Sequence, residues 1–411
     1  MNILLVTTHF PPMKGGVESA TESFLDFLER TGINSYTLTY DNSEVAQQIF
    51  SDHWVRSEIL RIKIPYALQR HMIDLRCISE TPRGNLLYKT RYVLLHEYFL
   101  LANAFLHFKE IRKSHFIVGQ GAVIESMCAY ILSKLLGKKY ILRLHIDITL
   151  FLSNTSMRRL FRKILSKADK IIVNSKDIKE GIVDLGIPHH KLSVSSFHIA
   201  NEIFYPRDKV SMRAKHGLPT EELIVIFVGA LNSTKLCDFA LQVTDYVLEK
   251  DKTVNFVFIG EGPLEREVCE LQKRHYRNVF FTNKMVSKET LAEYLAAADV
   301  FLLGSVDTGY PSRLVLECLA CGTPVIIPNV SIYPEKRKKK IFFKINLPSV
   351  YIIDLDSVKI ATFIVNNKDL ILSYKENTEY KKTAHNYILK HCNLDEVERY
   401  CVSLMNKVAN Q

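Results

Sequence analysis

The feature that most constrains the fold of this chain is an alternation. Short apolar runs, each the length of one buried strand, take turns with helical segments and with loops that carry glycine or proline. Asn2–Thr7 reads as a buried strand and is followed by the loop HFPPMKGG. From Val17 to Arg30 the apolar Phe24, Leu25 and Leu28 recur at helical spacing, and Gly32 supplies the stop. Ser35–Thr39 is the next strand. A strand–loop–helix–strand unit of this kind opens a parallel, doubly wound sheet, because a parallel return needs a helical crossover.

The same grammar recurs in strand 116–120, helix 123–136, strand 140–145, helix 157–166 and strand 170–174. It pauses near Tyr205–Asp208, with Pro206 as punctuation, and restarts at the strand Ile224–Val228. From there strands at 254–260, 279–282, 300–303 and 324–328 alternate with helices at 238–249, 264–272, 288–298 and 312–320. The expectation is an α/β chain of two doubly wound, Rossmann-like domains, residues 1–206 and 207–392, with a last helix at Leu394–Val408. Ligands of such sheets sit at the carboxyl ends of the strands, so two facing sheets would define a cleft.

Composition agrees with a folded globular chain: 411 residues, 47% of them apolar, give ample core material. The excess of 54 Lys and Arg over 44 Asp and Glu, a net +10, favours anionic partners without choosing among them. No nucleic-acid module accompanies the charge, so no nucleic-acid partner is expected. Of the eight cysteines only Cys318 and Cys321 form a CxxC, and two core-facing helix positions are the better reading of it than a metal or redox site. No metal is expected. The opening apolar run is too short for a secretory signal and Tyr92–Phe108 is broken by His96, Glu97, Asn103 and His107, so a cytoplasmic protein is expected.

Three loops at predicted strand ends carry the chemistry. Gly15 and Gly16 precede a helix N-terminus, where backbone N–H groups can approach an anion, although glycines alone more often mark a tight turn. Lys235 ends the loop 229–235 and can neutralise a phosphate; a solvated surface lysine is the commoner fate of that residue type. The strongest is the run from Asp307 through Tyr310, Pro311, Ser312 and Arg313 to Glu317 and Cys-Gly-Thr-Pro. An acid such as Glu317 among apolar helix neighbours needs a partner, and a nucleotide ribose with two hydroxyls would suit it.

The run PSRLVLECLACGTPVI at Pro311–Ile326 resembles the nucleotide-sugar-binding signature of family 4 glycosyltransferases, which have the GT-B fold. Other segments fall in register with that family: FPPMKGGVE at Phe10–Glu18, ILRLHID at Ile141–Asp147, ADKIIVNS at Ala168–Ser175, FVGALNSTK at Phe227–Lys235, FIGEGPLE at Phe258–Glu265 and LAAADVFLLGS at Leu295–Ser305. The resemblance implies a retaining, metal-independent, hexosyltransferase-like enzyme. It would use a UDP- or GDP-linked sugar as substrate, with no cofactor, and a glycan or lipid-linked acceptor. By position it implies that Lys235 contacts the diphosphate, Glu317 the ribose and His145 the donor sugar. It further implies that Gly15 and Gly16 face the phosphates, that the backbone of Tyr310–Ser312 holds the sugar, and that helix 393–411 packs back on the first domain.

The chain departs from the pattern at Ala230, where the family has an arginine, and at Gly309, where it has an acid; Asp307 lies two residues earlier and Arg313 four later. The Pro-Asn-Gly-Val-Asp turn reads Ser196–Ala200 instead, and the loop after Pro328 carries Glu335–Lys340 rather than a glycine-rich segment. These departures support an alternative, a non-catalytic member that binds a nucleotide sugar or a partner protein. A nucleotide-sugar epimerase is a third reading, and the signature argues against it. Arg158, Arg159, Arg162, Lys163 and Lys167, the run Lys336–Lys340 and the aromatic segment Tyr92–Phe108 would together suit peripheral docking on an anionic membrane. Charge runs face solvent more often than not, so docking is the less favoured reading of these segments.

Overall fold

Within β1 (Asn2–Val6) alternate side chains serve two different cores, as the pleat of a strand requires. Leu4 and Val6 join one apolar cluster with Leu38, Leu60, Leu142 and Phe161, whereas Ile3 and Leu5 join another with Phe24, Leu28, Ile141 and Met405. Burial on both faces is what a sheet covered by helices on each side demands. The computed structural model describes residues 1–8, 10, 16–41, 55–63, 86–145, 155–195, 199–304, 312–329, 347–392 and 394–409.

The contacts divide the chain into two units, Met1–Phe197 with Leu394–Gln411, and His198–Asn393. In the first, β1 is followed by α1 (Gly16–Arg30), β2 (Asn34–Asp41), β3 (Ser57–Lys63), α2 (Leu86–Leu106) and α3 (Phe108–Ile111). Then come β4 (Phe116–Gly121), α4 (Val123–Leu136), β5 (Tyr140–Leu144), α5 (Thr155–Lys167), β6 (Lys170–Val173), α6 (Lys176–Asp184) and β7 (Leu192–Val194). All seven strands are parallel, in the order β3-β2-β1-β4-β5-β6-β7.

The second unit holds α7 (Lys209–Lys215), β8 (Leu223–Val228), α8 (Cys237–Lys250), β9 (Val254–Ile259), α9 (Glu265–Arg274) and β10 (Val279–Phe281). It continues through α10 (Lys288–Ala297), β11 (Val300–Leu302), α11 (Arg313–Ala320), β12 (Val325–Asn329) and β13 (Val350–Asp354) to α12 (Ser357–Asn366), α13 (Lys368–Glu376) and α14 (Thr378–His391). Its six strands are also parallel, in the order β10-β9-β8-β11-β12-β13. Each sheet grows outward from its first strand in both directions, so each has one switch point, between β1 and β4 and between β8 and β11. Two doubly wound sheets are the fold that the alternation implies.

The division falls at residue 197 rather than at 206. Ile199 N–H donates to the Cys392 carbonyl (2.9 Å), and Ile203 and Phe204 both donate to Ala200, so the stretch before Pro206 is tied to the second unit. The last helix, α15 (Leu394–Ala409), belongs to the first unit. Cys401, Leu404 and Met405 complete the cluster over α1. A buried ion pair fixes it: Arg143 Nη2 on β5 lies 3.0 Å from Glu398 Oε1, and its guanidinium stacks 4.0 Å above the Phe24 ring.

Candidate functional site

The site is built at the β8/β11 switch point of the second unit, where loops leave neighbouring strands in opposite directions. After β8 the backbone of Leu231 is clamped on the turn that follows β9: Leu231 N–H donates to Glu261 O (2.8 Å) and Leu264 N–H to Leu231 O (2.9 Å). A Cβ at Gly262 would come within 2.7 Å of the Leu231 carbonyl, so only glycine lets the two loops approach this closely. Asn232 then caps the one-turn helix Ser233–Lys235, its Oδ1 accepting the Lys235 N–H at 2.9 Å. Leu236 closes that turn in the left-handed region (φ 51°), a conformation a leucine holds only when its surroundings dictate it. Half-buried Lys235 is thereby fixed beside the end of β11, where a Cβ on Gly304 would collide with the Lys235 carbonyl oxygen.

The second half of the site is α11. Ser312 caps it, accepting the Val315 N–H at 3.4 Å, and seven of its eight residues are buried. Arg313 and Glu317 stand one turn apart, and Arg313 Nε donates to Glu317 Oε1 at 2.9 Å. Burial pushes the Glu317 carboxyl above the usual carboxylate range, and Arg313 and then Lys288 pull it back. The partner that an acid in so apolar a helix requires is therefore Arg313, a pairing that the i,i+4 spacing contained and the sequence reading did not use. Among the described residues the two terminal nitrogens of Arg313 are buried and make no hydrogen bond. The arrangement presents a fixed cation with unsatisfied donors, a fit for an anionic or hydroxyl-rich ligand. Asp307, Tyr310 and Pro311, expected to join it, lie outside the described residues, as do Gly309 and Lys336–Lys340.

In the first unit His145 follows β5 directly. Its N–H donates to Gly121 O (3.2 Å) and its carbonyl accepts from Asn174 Nδ2 (3.1 Å), which pins it at the carboxyl ends of β4, β5 and β6. Gly16 begins α1, while Gly15 lies outside the described residues. Sequence reading missed a buried acidic group at this same edge. Glu125, in the first turn of α4, accepts from the Thr8 N–H (3.2 Å), the Thr8 hydroxyl and the Ala122 N–H (2.8 Å). Close by, Glu97 on α2 is buried, and burial, reinforced by Glu125, pushes its pKa up to about 9. Only the tertiary packing of α2 on α4 brings these two acids together.

Cys318 and Cys321 are free, buried and core-facing, and burial pushes the Cys321 thiol up to about 12. Among the described residues no group of three or more His, Cys, Asp or Glu is arranged to hold a metal ion.

Residues 208–341, all in the second unit, match the family of glycosyl transferases group 1. Over that third of its length the chain is similar to a family of glycosyltransferases. Among curated relatives it is 26% identical to N-acetyl-alpha-D-glucosaminyl L-malate synthase of Bacillus anthracis over 220 residues, 52% of this chain and 56% of that protein. It is 24% identical to alpha-galactosylglucosyldiacylglycerol synthase of Streptococcus pneumoniae, over 46% of this chain and 51% of that protein. The chain thus spans about half the length of these relatives. Among solved structures the fold is similar to sucrose-phosphate synthase of Thermosynechococcus elongatus (TM-score 0.71, 16% identity, 99% of this chain and 98% of that one). It is likewise similar to Anabaena HepE in complex with UDP-glucose (TM-score 0.69, 13% identity, 99% and 100% covered). The chain has the GT-B fold of those neighbours.

Proposed function

We propose that this chain is a glycosyltransferase that moves a sugar from a nucleoside-diphosphate sugar to a hydroxyl of a glycan or lipid-linked acceptor at the cytoplasmic face of a membrane, with retention of anomeric configuration and without a metal. The observation that carries the reading is the α11 pair: a buried Arg313, held by Glu317 and with its terminal nitrogens unbonded among the described residues, inside the segment that matches the family. That the similar HepE has been solved with UDP and with UDP-glucose supports a diphosphate donor. In the reaction the bond from the anomeric carbon to the leaving phosphate oxygen breaks. The acceptor oxygen bonds to that carbon from the same face, and its proton passes to the departing diphosphate.

Roles follow from charge and position. Lys235 and the Arg313 guanidinium stabilise the negative charge that grows on the diphosphate, because preorganised cations need no rearrangement as the charge develops. Glu317 keeps one oxygen on Arg313 and offers the other to the ribose hydroxyls. The family resemblance assigns His145 and Tyr310–Ser312 with Asp307 to the donor sugar, and Gly15 and Gly16 to its phosphates.

Ala230, in place of the family's arginine, favours one other reading, a non-catalytic member that binds the nucleotide sugar. Thermal shifts against a panel of UDP and GDP sugars, followed by donor turnover with chelator present, separate the two. Release of nucleoside diphosphate supports the enzyme. A thermal shift with neither transfer nor slow hydrolysis would establish the binder in its place.

A further inference from the structure

Helix α2 is more than a core helix. Phe99, Leu100 and Ala104 sit in the first unit's core, but Leu94, Tyr98 and Phe105, spaced four and then seven residues apart along the other face, are 59%, 65% and 81% exposed. Leu106 and Phe108 of α2 and α3 extend this stripe. Next to it, Lys138, just beyond α4, donates to the carbonyls of Ile111, Arg112 and Ser114, which brings the end of α4 and its exposed Leu135 against α3. Monomeric soluble proteins rarely present a contiguous run of large apolar and aromatic side chains to water.

The rim of this face has a single sign. Lys109, Arg112, Lys113 and Lys134 are exposed around the apolar stripe. Helix α5, which packs on α4, buries Phe161, Ile164 and Leu165 and turns Arg158, Arg159, Arg162, Lys163 and Lys167 outward. The acids on α2, α3 and α4 are Glu97 and Glu125, both buried, and half-buried Glu110, while α5 has none; among the described residues these four helices expose no carboxylate. Aromatic and leucine side chains ringed by lysine and arginine are the chemistry that inserts between lipid headgroups and pairs with their phosphates.

We propose that the α2–α5 face of the first unit docks on an anionic lipid bilayer. A second copy of the chain fits less well, because a two-fold contact through this face would set one basic rim against another. No helix among the described residues is long and apolar enough to cross a membrane, so the mode is one of lying on the surface. The inference rests on the proposed acceptor only for its purpose, since a docked enzyme meets a lipid-linked acceptor in two dimensions.

The test is co-sedimentation of the full chain with phosphatidylcholine vesicles, with and without phosphatidylglycerol, at low and high salt. Binding is expected only to the anionic vesicles and should fall with salt. Arg158→Gln with Arg162→Gln should weaken it about tenfold or more, and Phe105→Ser with Phe108→Ser should abolish retention at salt concentrations the parent tolerates. Both double variants should melt like the parent and keep its thermal shift with donor, since the substituted side chains are exposed. Absence of binding, equal binding to neutral vesicles, variants that bind as the parent does, or a self-association lost with Phe105→Ser would overturn the proposal. Donor binding is read separately, so failure here leaves the glycosyltransferase reading standing, and the converse also holds.

Discussion

Arg313 and Glu317 are joined along α11 by a 2.9 Å hydrogen bond within a helix that is otherwise apolar. Two ionised groups at such a depth give back much of their attraction as desolvation, so the pair by itself is weak evidence of stability. Its consequence is geometric: it holds a guanidinium whose terminal nitrogens have no hydrogen-bond partner among the described residues.

Removing one partner should therefore hurt in a different way from removing both. Arg313→Ala leaves Glu317 buried without its cation and should cost about 3 kcal/mol in urea unfolding. Arg313→Met with Glu317→Leu should recover most of that loss while donor binding stays lost. A double variant that still showed the donor's thermal shift would reduce the pair to a packing feature.

The C-terminal helix makes a second case of the same physics. Glu398 reaches Arg143 from α15 across a fully buried contact. Glu398→Ala should destabilise the first unit by about 3–5 kcal/mol, more than loss of the methylene packing alone would. Replacing both residues by leucine and methionine should be far milder. Unfolding followed through probes in each unit would show the second unit's transition unchanged.

Much of this was legible in the chain because the relevant signals are local. Strands buried on both faces read as continuous apolar runs, and helices between them as 3.6-residue periodicity, so β1, β4, β5, β8, β9 and α11 lie where the pattern puts them. The elements without such a signal were missed. Strand β3 (SEILRIK) alternates with charged residues at the sheet edge, and β13 is half-exposed. The boundary moved because one long-range bond, Ile199 to Cys392, outweighs the local punctuation of Pro206. Glu97 and Glu125, or Arg143 and Glu398, could not be paired from sequence, since residues far apart in the chain meet only through the fold.

Lys375, on α13, is buried with its ammonium 2.7 Å from Thr323 Oγ1, and burial pushes its pKa down to about 7. Its folded pKa thus lies below the ordinary lysine value of about 10.4, so the unfolded chain binds more protons between the two. Stability should rise with pH from about 7 to about 10, by at most about 1.4 kcal/mol per pH unit. Lys375→Met should flatten that slope and stabilise the protein at neutral pH. Urea unfolding at pH 7, 8 and 9 decides it, and an unchanged slope would assign the titration elsewhere.

The last prediction concerns turnover. Lys235 is held by a capped one-turn helix, by Leu236 in a left-handed conformation and by close approach of Gly304, three local constraints on a residue that adds little to any core. Such constraint makes sense if a charge must already be in place when the diphosphate leaves. Lys235→Ala should leave folding intact and lower turnover about a hundredfold or more at saturating donor. Lys235→Arg keeps the charge but changes its reach, and should recover part of the rate. With Ala230 in place of an arginine, the Ala230→Arg variant should raise turnover in the Lys235→Ala background, because a second cation near the same phosphates restores some of the missing stabilisation. Single-turnover rates measured with chelator present would check all three, and a Lys235→Ala enzyme as fast as the parent would remove this lysine from the reaction.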